Sequence, residues 1–386
     1  MIQTAQPPES ERDPTRADWM ELFFDLVFVA LVGQLSSGLH HEPTFAQLGV
    51  FLALFASVWW SWVNLTFAIN IQAHLSRRVL AAFMLVAMAA MGAIAVAAPE
   101  ALGERAWLFA LGNASMRALL LALWARSNWA GGGLARVRIV AYNGVTGLLW
   151  LVSAFTPEPV RSVLWALAIA LEILLLVLTA PSLLRRLGTL NVEHLADRFG
   201  TLVIIALGET VLAIIVALSA HLTPLSAAAA VCSLVVAAGL AWASFLFGVS
   251  SMRDGLELLS SRGDSRGIVT TFAFLPYALV SGIMLLSGAV SVAIADPDAV
   301  LPPAVATAFG VGVALFYATN ATIALRYGTP WRRVLPWAAP AVLLPLAVGA
   351  AALTLPAFLA IGIMALTLVA IVTMSEVRRR LSGTHP

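Results

Sequence analysis

The chain has 386 residues, 61% of them hydrophobic and only 11% charged, with a mean hydropathy of +0.93; soluble domains carry about 25% charged and roughly 45–50% apolar residues. This balance excludes a nucleic-acid binder, a disordered chain and a disulfide scaffold, and makes the lipid bilayer the first partner. All 22 basic residues are arginine, and a net charge of +2 is too small for a general polyanion-binding surface.

Residues 1–19 hold Glu9, Glu11, Asp13 and Asp18 with Pro7, Pro8 and Pro14. They lack the basic start and apolar run of a secretory signal, so they read as a cytoplasmic tail. A helix needs about 20 predominantly apolar residues to cross the hydrocarbon core. That ruler predicts an all-α polytopic membrane protein with twelve spans, near 20–39, 45–70, 79–98, 106–125, 139–155, 163–180, 199–219, 225–249, 268–295, 304–325, 334–350 and 354–375. The fifth is short, and the eleventh carries Pro336, Pro340 and Pro345, which would kink it.

The arginines test the count, because cytoplasmic loops collect positive charge. With the amino terminus inside, 19 of the 22 fall on one side, Arg198 among them; Arg105 and Arg161 fall on the other and Arg117 lies within a span. This predicts a bacterial cytoplasmic (inner) membrane protein with both termini in the cytoplasm. The single cysteine, Cys232, allows no intrachain disulfide.

The pattern repeats after six helices. The segment from Glu21 to Leu31 matches that from Asp197 to Leu207 at a constant offset of 176, and Trp62 and Phe67 meet Trp242 and Phe247 at an offset of 180. Two tandem six-helix units are expected, 20–185 and 186–376, followed by a cytoplasmic tail over 377–386. An even unit keeps both halves in one orientation, related by an axis along the membrane normal.

Ionisable residues inside spans are few and costly, at about 2.5–3.5 kcal/mol or more on insertion scales. Glu209 falls near the midplane of the seventh span and reads as a cation or proton site, or as a structural, hydrogen-bonded carboxyl. Gln34, after Gly33, falls within one residue of it in the repeat alignment, so the two could face one another. Glu21 and Asp25 are spaced i,i+4 and share one face of the first helix. An ion pair with an arginine such as Arg198 competes with a functional role for both. Arg117 needs a partner, for which Glu209, Asp25 and Glu172 are the candidates, and it shares a helix face with Asn113. Glu172, mid-span in the sixth helix, is read in the same way. Asn64, Asn70, Asn143 and Asn320 read as interhelical hydrogen bonds, and Trp59, Trp60, Trp62, Trp331 and Trp337 as an aromatic belt at the interfaces.

No catalytic, metal or cofactor site is expected. The six histidines fall at helix ends or in loops, His40-His41-Glu42 fits a metal poorly, and Gly131-Gly132-Gly133 is a plain loop. Phosphate-loop, zinc-protease and potassium-filter patterns are absent from the sequence.

The stretch from Glu21 through Phe24 and Asp25 to Val29 resembles the amino-terminal motif of the bacterial low temperature requirement A family. The stretch from His194 through Asp197, Arg198 and Phe199 to Gly208 and Glu209 is similar to that family's second motif. The resemblance implies a multi-pass inner-membrane protein linked by name to growth in the cold, with Glu21, Phe24, Asp25, Arg198, Gly208 and Glu209 as motif residues; it implies neither a reaction nor a substrate. A fainter likeness joins the Phe-Phe-Asp run to the Phe-Ser-Asp motif of six-helix potassium channels built as tandem repeats, although the serine is absent here.

The sequence thus points to a carrier for a small solute or ion, with Asp25 and Glu209 as shared cation or proton sites and Arg117 as counter-charge. An ion channel and a non-transporting sensor or scaffold in cold adaptation are the alternatives. The oligomeric state, a homodimer included, stays open.

Overall fold

In lipid every backbone polar group must find a partner within the chain, which favours helices over open sheets. The computed structural model describes residues 19–40, 43–71, 76–126, 133–187 and 190–381, and it is helical throughout, with one isolated bridge between Val300 and Pro356. The helices are α1 (Trp19–Ser36), α2 (Phe45–Ile71), α3 (Arg77–Ala97), α4 (Ala106–Arg126), α5 (Gly133–Ser153), α6 (Val160–Leu187) and α7 (Val192–Ala220). They continue with α8 (Pro224–Ala243), α9 (Val249–Ser261), α10 (Ser265–Ala295), α11 (Pro303–Arg326), α12 (Trp331–Ala351) and α13 (Ala357–Leu381).

Among the described residues, eleven helices are long and apolar enough to cross a membrane. Those are eleven of the twelve expected spans. The remaining one, the fifth, lies in α5, whose apolar stretch among the described residues is Val140–Ser153. Residues 1–18 and 382–386 of the expected tails lie outside the described residues, as do Gly131, Gly132, His41 and Glu42.

Two boundaries differ from the sequence reading. Helix α7 begins seven residues early, because the Asn191 side chain caps it by accepting from the His194 backbone N–H at 3.0 Å. Residues 194 and 198 therefore belong to the helix rather than to a loop. The eighth span ends at Ala243, and a π-turn over Ser244–Gly248 leads into the short α9. Helix α12 stays continuous through its three prolines.

In the first half α1 packs on α2 and α3, α3 on α4, α4 on α5, α5 on α6, and α2 on α6. In the second, α7 packs on α8 and α10, α10 on α11, α11 on α12, α12 on α13, and α8 on α13. The halves meet where α1 lies along α7 and where α10 touches α2 and α6. Large apolar side chains such as Leu174, Leu178, Leu344 and Leu366 face outward, as surfaces in lipid do.

Helices α2 and α10 form the interior. Of the apolar stretch of α10, 89% of residues are buried. Rings from both helices form a column in which Trp62 stacks on Trp59 and on Phe272, and Phe55 stacks on Tyr277. The Trp59 indole donates to the Ala273 carbonyl at 2.7 Å. The expected interfacial placement of Trp59, Trp60 and Trp62 is therefore corrected: all three are buried core residues.

Where α10 crosses α11, Gly282 and Gly312 touch backbone to backbone. A Cβ at Gly312 would lie 2.6 Å from the Gly282 carbonyl oxygen and 2.9 Å from the Leu286 nitrogen. Neither atom can rotate away, so Gly312→Ala must part the helices. A loss of about 1–3 kcal/mol is expected, read as a lower unfolding temperature in detergent. Gly92→Ala, where a Cβ meets nothing within 4 Å, should cause no such loss.

Candidate functional site

Buried charges collect at two places, and one further carboxyl stands apart. The first cluster lies where the amino-terminal ends of α1 and α7 meet. Glu21 and Asp25, one helical turn apart, both face α7 and are 5% and 0% exposed. Arg198 answers them from the second turn of α7. Its Nε donates to Asp25 Oδ2 at 3.3 Å, its Nη2 donates to Asp25 Oδ1, and its Nη1 lies 3.3 Å from Glu21 Oε2. The Trp62 indole donates to Asp25 Oδ1 at 2.7 Å, and the guanidinium carbon lies 5.5 Å from the centre of that indole ring.

His194, one turn earlier on α7, places Nε2 at 2.9 Å from Glu21 Oε2. Its other nitrogen, Nδ1, is 3.1 Å from Asn70 Nδ2. The orientation of the Asn70 amide is fixed by α7: its Oδ1 accepts from the Asn191 backbone N–H at 3.0 Å, and its Nδ2 donates to the Asn191 carbonyl at 2.9 Å. His194 thus bridges Glu21 of α1 and Asn70 of α2. The cluster holds two carboxyl groups against one guanidinium.

The second cluster joins α2, α4 and α6. Arg117 and Glu172 form a bidentate pair, with Nε to Oε1 at 2.7 Å and Nη2 to Oε2 at 2.6 Å. The remaining guanidinium donors reach the Ser57 carbonyl at 3.0 Å, Asn113 Oδ1 at 3.2 Å and Ser61 Oγ. All five donors of Arg117 are used. Of its three candidate partners the structure selects Glu172, and Asn113 joins the same network as expected from its i,i+4 spacing.

Glu209 stands apart. Its carboxyl packs on Gly33 of α1, where a Cβ would lie 2.6 Å from the carboxyl carbon. Among the described residues it forms no hydrogen bond or ion pair. Gly33 is eight residues beyond Asp25, about 12 Å along α1, so Asp25 and Glu209 do not share one site. Gln34 is exposed and Gly208 is exposed, with nothing within 4 Å of a Cβ there. The expected facing of the Gly-Gln and Gly-Glu pairs is thus replaced by Glu209 against Gly33. Phe24 is fully buried in the core.

Sequence reasoning misses two participants, while Arg198 is the ion-pair partner it names. Trp62 reads there as part of an interfacial belt. His194 was set aside as a loop residue. The available signal was helical spacing: His194 and Arg198 are i,i+4, like Glu21 and Asp25, so two matching faces were written in the sequence.

The family model for the bacterial low temperature requirement A protein (LtrA) matches residues 16–373. An uncharacterized protein of Rhizobium meliloti (strain 1021) is 31% identical over 216 residues, which cover 52% of this chain and 51% of that relative. The alignment thus spans about half the length of each. With the family match running from before the first acidic motif to within the last helix, this multi-pass membrane protein belongs to the bacterial low temperature requirement A family.

Proposed function

We propose that the protein carries a proton or small cation across the bacterial cytoplasmic membrane, without enzymatic chemistry, and that Glu209 is the group loaded and unloaded. One contrast supports this reading. Three buried carboxyl groups, on Glu21, Asp25 and Glu172, face an arginine, whereas Glu209 has no hydrogen bond or ion pair among the described residues. A carboxylate within a span and without a counter-charge is expensive, so it takes a proton or holds a cation. In this reading Asp25 and Arg117 are fixed charges that hold helices together.

The tandem six-plus-six organisation belongs to the same proposal. Every neighbour relation named for α1 to α6 recurs among α7, α8 and α10 to α13, with α9 as an insertion. At the offset of 176 the counterpart of Glu209 is Gly33, the residue it touches. Equivalent positions meet each other only close to a two-fold axis, so this contact supports an axis running between α1 and α7.

Flux in proteoliposomes under a panel of ion gradients tests the proposal. Glu209→Gln, which keeps the side-chain volume, should fold and reduce gradient-driven flux to background. Gly33→Ala should also fold, because only the end of the Glu209 side chain has to move, but it should alter the flux. No flux of any tested ion or solute in the wild-type protein would overturn the reading; saturation would indicate a carrier and high unitary conductance a channel.

Orientation has its own test. In a Cys232→Ser background, Leu222→Cys should react with an impermeant thiol reagent from outside intact cells. Ser260→Cys should react only after permeabilisation. The reverse pattern would invert the topology.

A further inference from the structure

A cleft of about 290 Å³ opens beside the first charge cluster, between the amino-terminal ends of α1 and α3. It is lined by Trp19, Met20, Glu21, Arg78, Leu80, Ala81 and Met84. Its position along the helices is interfacial, since both elements begin there. Its outer side faces lipid: Phe23 and Leu26 on α1 and Leu85 and Val86 on α3 are all about half exposed or more. The walls are apolar apart from two charges of opposite sign.

Those charges are unequally occupied. Glu21 is 95% buried, yet its Oε2 makes no aligned hydrogen bond. His194 and Arg198 lie beside that oxygen rather than in line with it. Glu21 and Asp25 share one guanidinium, and that guanidinium donates twice to Asp25. Glu21 lines the cleft and, beyond its contact with Arg198, keeps acceptor capacity on its carboxylate. Arg78 is exposed and, among the described residues, makes no hydrogen bond or ion pair. It sits in the first turn of α3, whose amino-terminal N–H groups also favour an anion.

We propose that this cleft binds the headgroup of an amine-bearing zwitterionic phospholipid of the phosphatidylethanolamine type, with its ammonium on Glu21 and its phosphate on Arg78. A primary ammonium donates the hydrogen bonds that Glu21 can accept; a quaternary ammonium cannot. The glycerol and acyl chains leave along Leu80, Ala81 and Met84 towards the lipid-facing side of α3, and Trp19 covers the entrance as an interfacial anchor. The site is independent of any solute handled at Glu209.

Native mass spectrometry of the full-length protein in detergent, supplied with equal amounts of phosphatidylethanolamine, phosphatidylglycerol and phosphatidylcholine, tests the assignment. Phosphatidylethanolamine should be retained in preference to both others. Glu21→Gln should lower its retention about tenfold, the usual weight of a charge-assisted hydrogen bond. Arg78→Gln, at an exposed position that folding does not require, should weaken phosphatidylethanolamine and phosphatidylglycerol alike. Equal retention of the three lipids, an unchanged preference in a folded Glu21→Gln variant, or no effect of Arg78→Gln would overturn the proposal. Displacement of the lipid by soluble phosphoethanolamine at comparable concentration would overturn the lipid as its source. Should Glu21→Gln fail to fold, the lipid comparison and Arg78→Gln decide the matter.

Discussion

Replacing Glu172 with leucine is expected to destabilise the protein by about 3–5 kcal/mol, and replacing Arg117 with methionine by distinctly less. Both residues are at most 2% exposed and form one bidentate pair. The asymmetry comes from what each deletion leaves behind. Without Glu172 the guanidinium remains charged, since arginine keeps its proton in proteins, and it retains only Ser57, Ser61 and Asn113 as neutral acceptors. Without Arg117 the remaining carboxyl can take up a proton and continue as a neutral group. The double variant Arg117→Met/Glu172→Leu should recover most of the loss, because well-packed apolar residues replace a buried pair at little cost. Thermal unfolding of the four proteins in one detergent closes the cycle. A direct substrate role for Arg117 would instead leave stability nearly unchanged and remove only flux.

The membrane class and the span positions could be read from the sequence because both depend on long apolar runs, which the bilayer makes obligatory. The partnerships could not. Trp62 and Trp242 look alike in an apolar helix, yet the first is fully buried against Asp25 and the second is 55% exposed. What separates them is which helix lies opposite, a long-range property. The start of α7 escapes a hydropathy ruler for a local reason: such a ruler stops at charged residues, and Glu193, Asp197 and Arg198 precede the apolar run. In fact Arg253 of α9 bridges Glu193 and Asp197 on the outer face of that helix, at 3.7 and 2.8 Å, while Arg198 turns inward. The choice of Glu172 for Arg117 likewise rested on the packing of α4 beside α6 through α5, and spacing alone left three acids equal.

The three paired carboxyl groups also explain why Glu209 carries the functional proposal although Asp25 looked equally promising. Asp25 is fully buried and Glu209 half-buried, and their partners differ as well. An acid locked by a guanidinium and an indole has little freedom to exchange a cation. An acid with no hydrogen bond or ion pair among the described residues keeps that freedom, and Gly33 beside it keeps the space.

Arg198 should prove the least replaceable residue of the first cluster, by lysine as well as by neutral residues. Arg198→Met leaves Glu21 and Asp25 facing each other's helix turn with no guanidinium, and about 3–5 kcal/mol of stability should be lost. Arg198→Lys preserves the charge but not its shape. One ammonium cannot reproduce two bonds to Asp25, reach Glu21 and lie against the Trp62 ring at the same time. Each charge-assisted bond is worth about 1.5–3 kcal/mol, so the lysine variant should fall closer to methionine than to wild type. The composition agrees with this demand, for the chain uses arginine 22 times and lysine never. The measurement is thermal unfolding in detergent, with Arg198→Met/Asp25→Asn as the companion. That double variant should be more stable than Arg198→Met, because one uncompensated carboxylate is gone. A lysine variant as stable as wild type would reduce the role of Arg198 to charge alone.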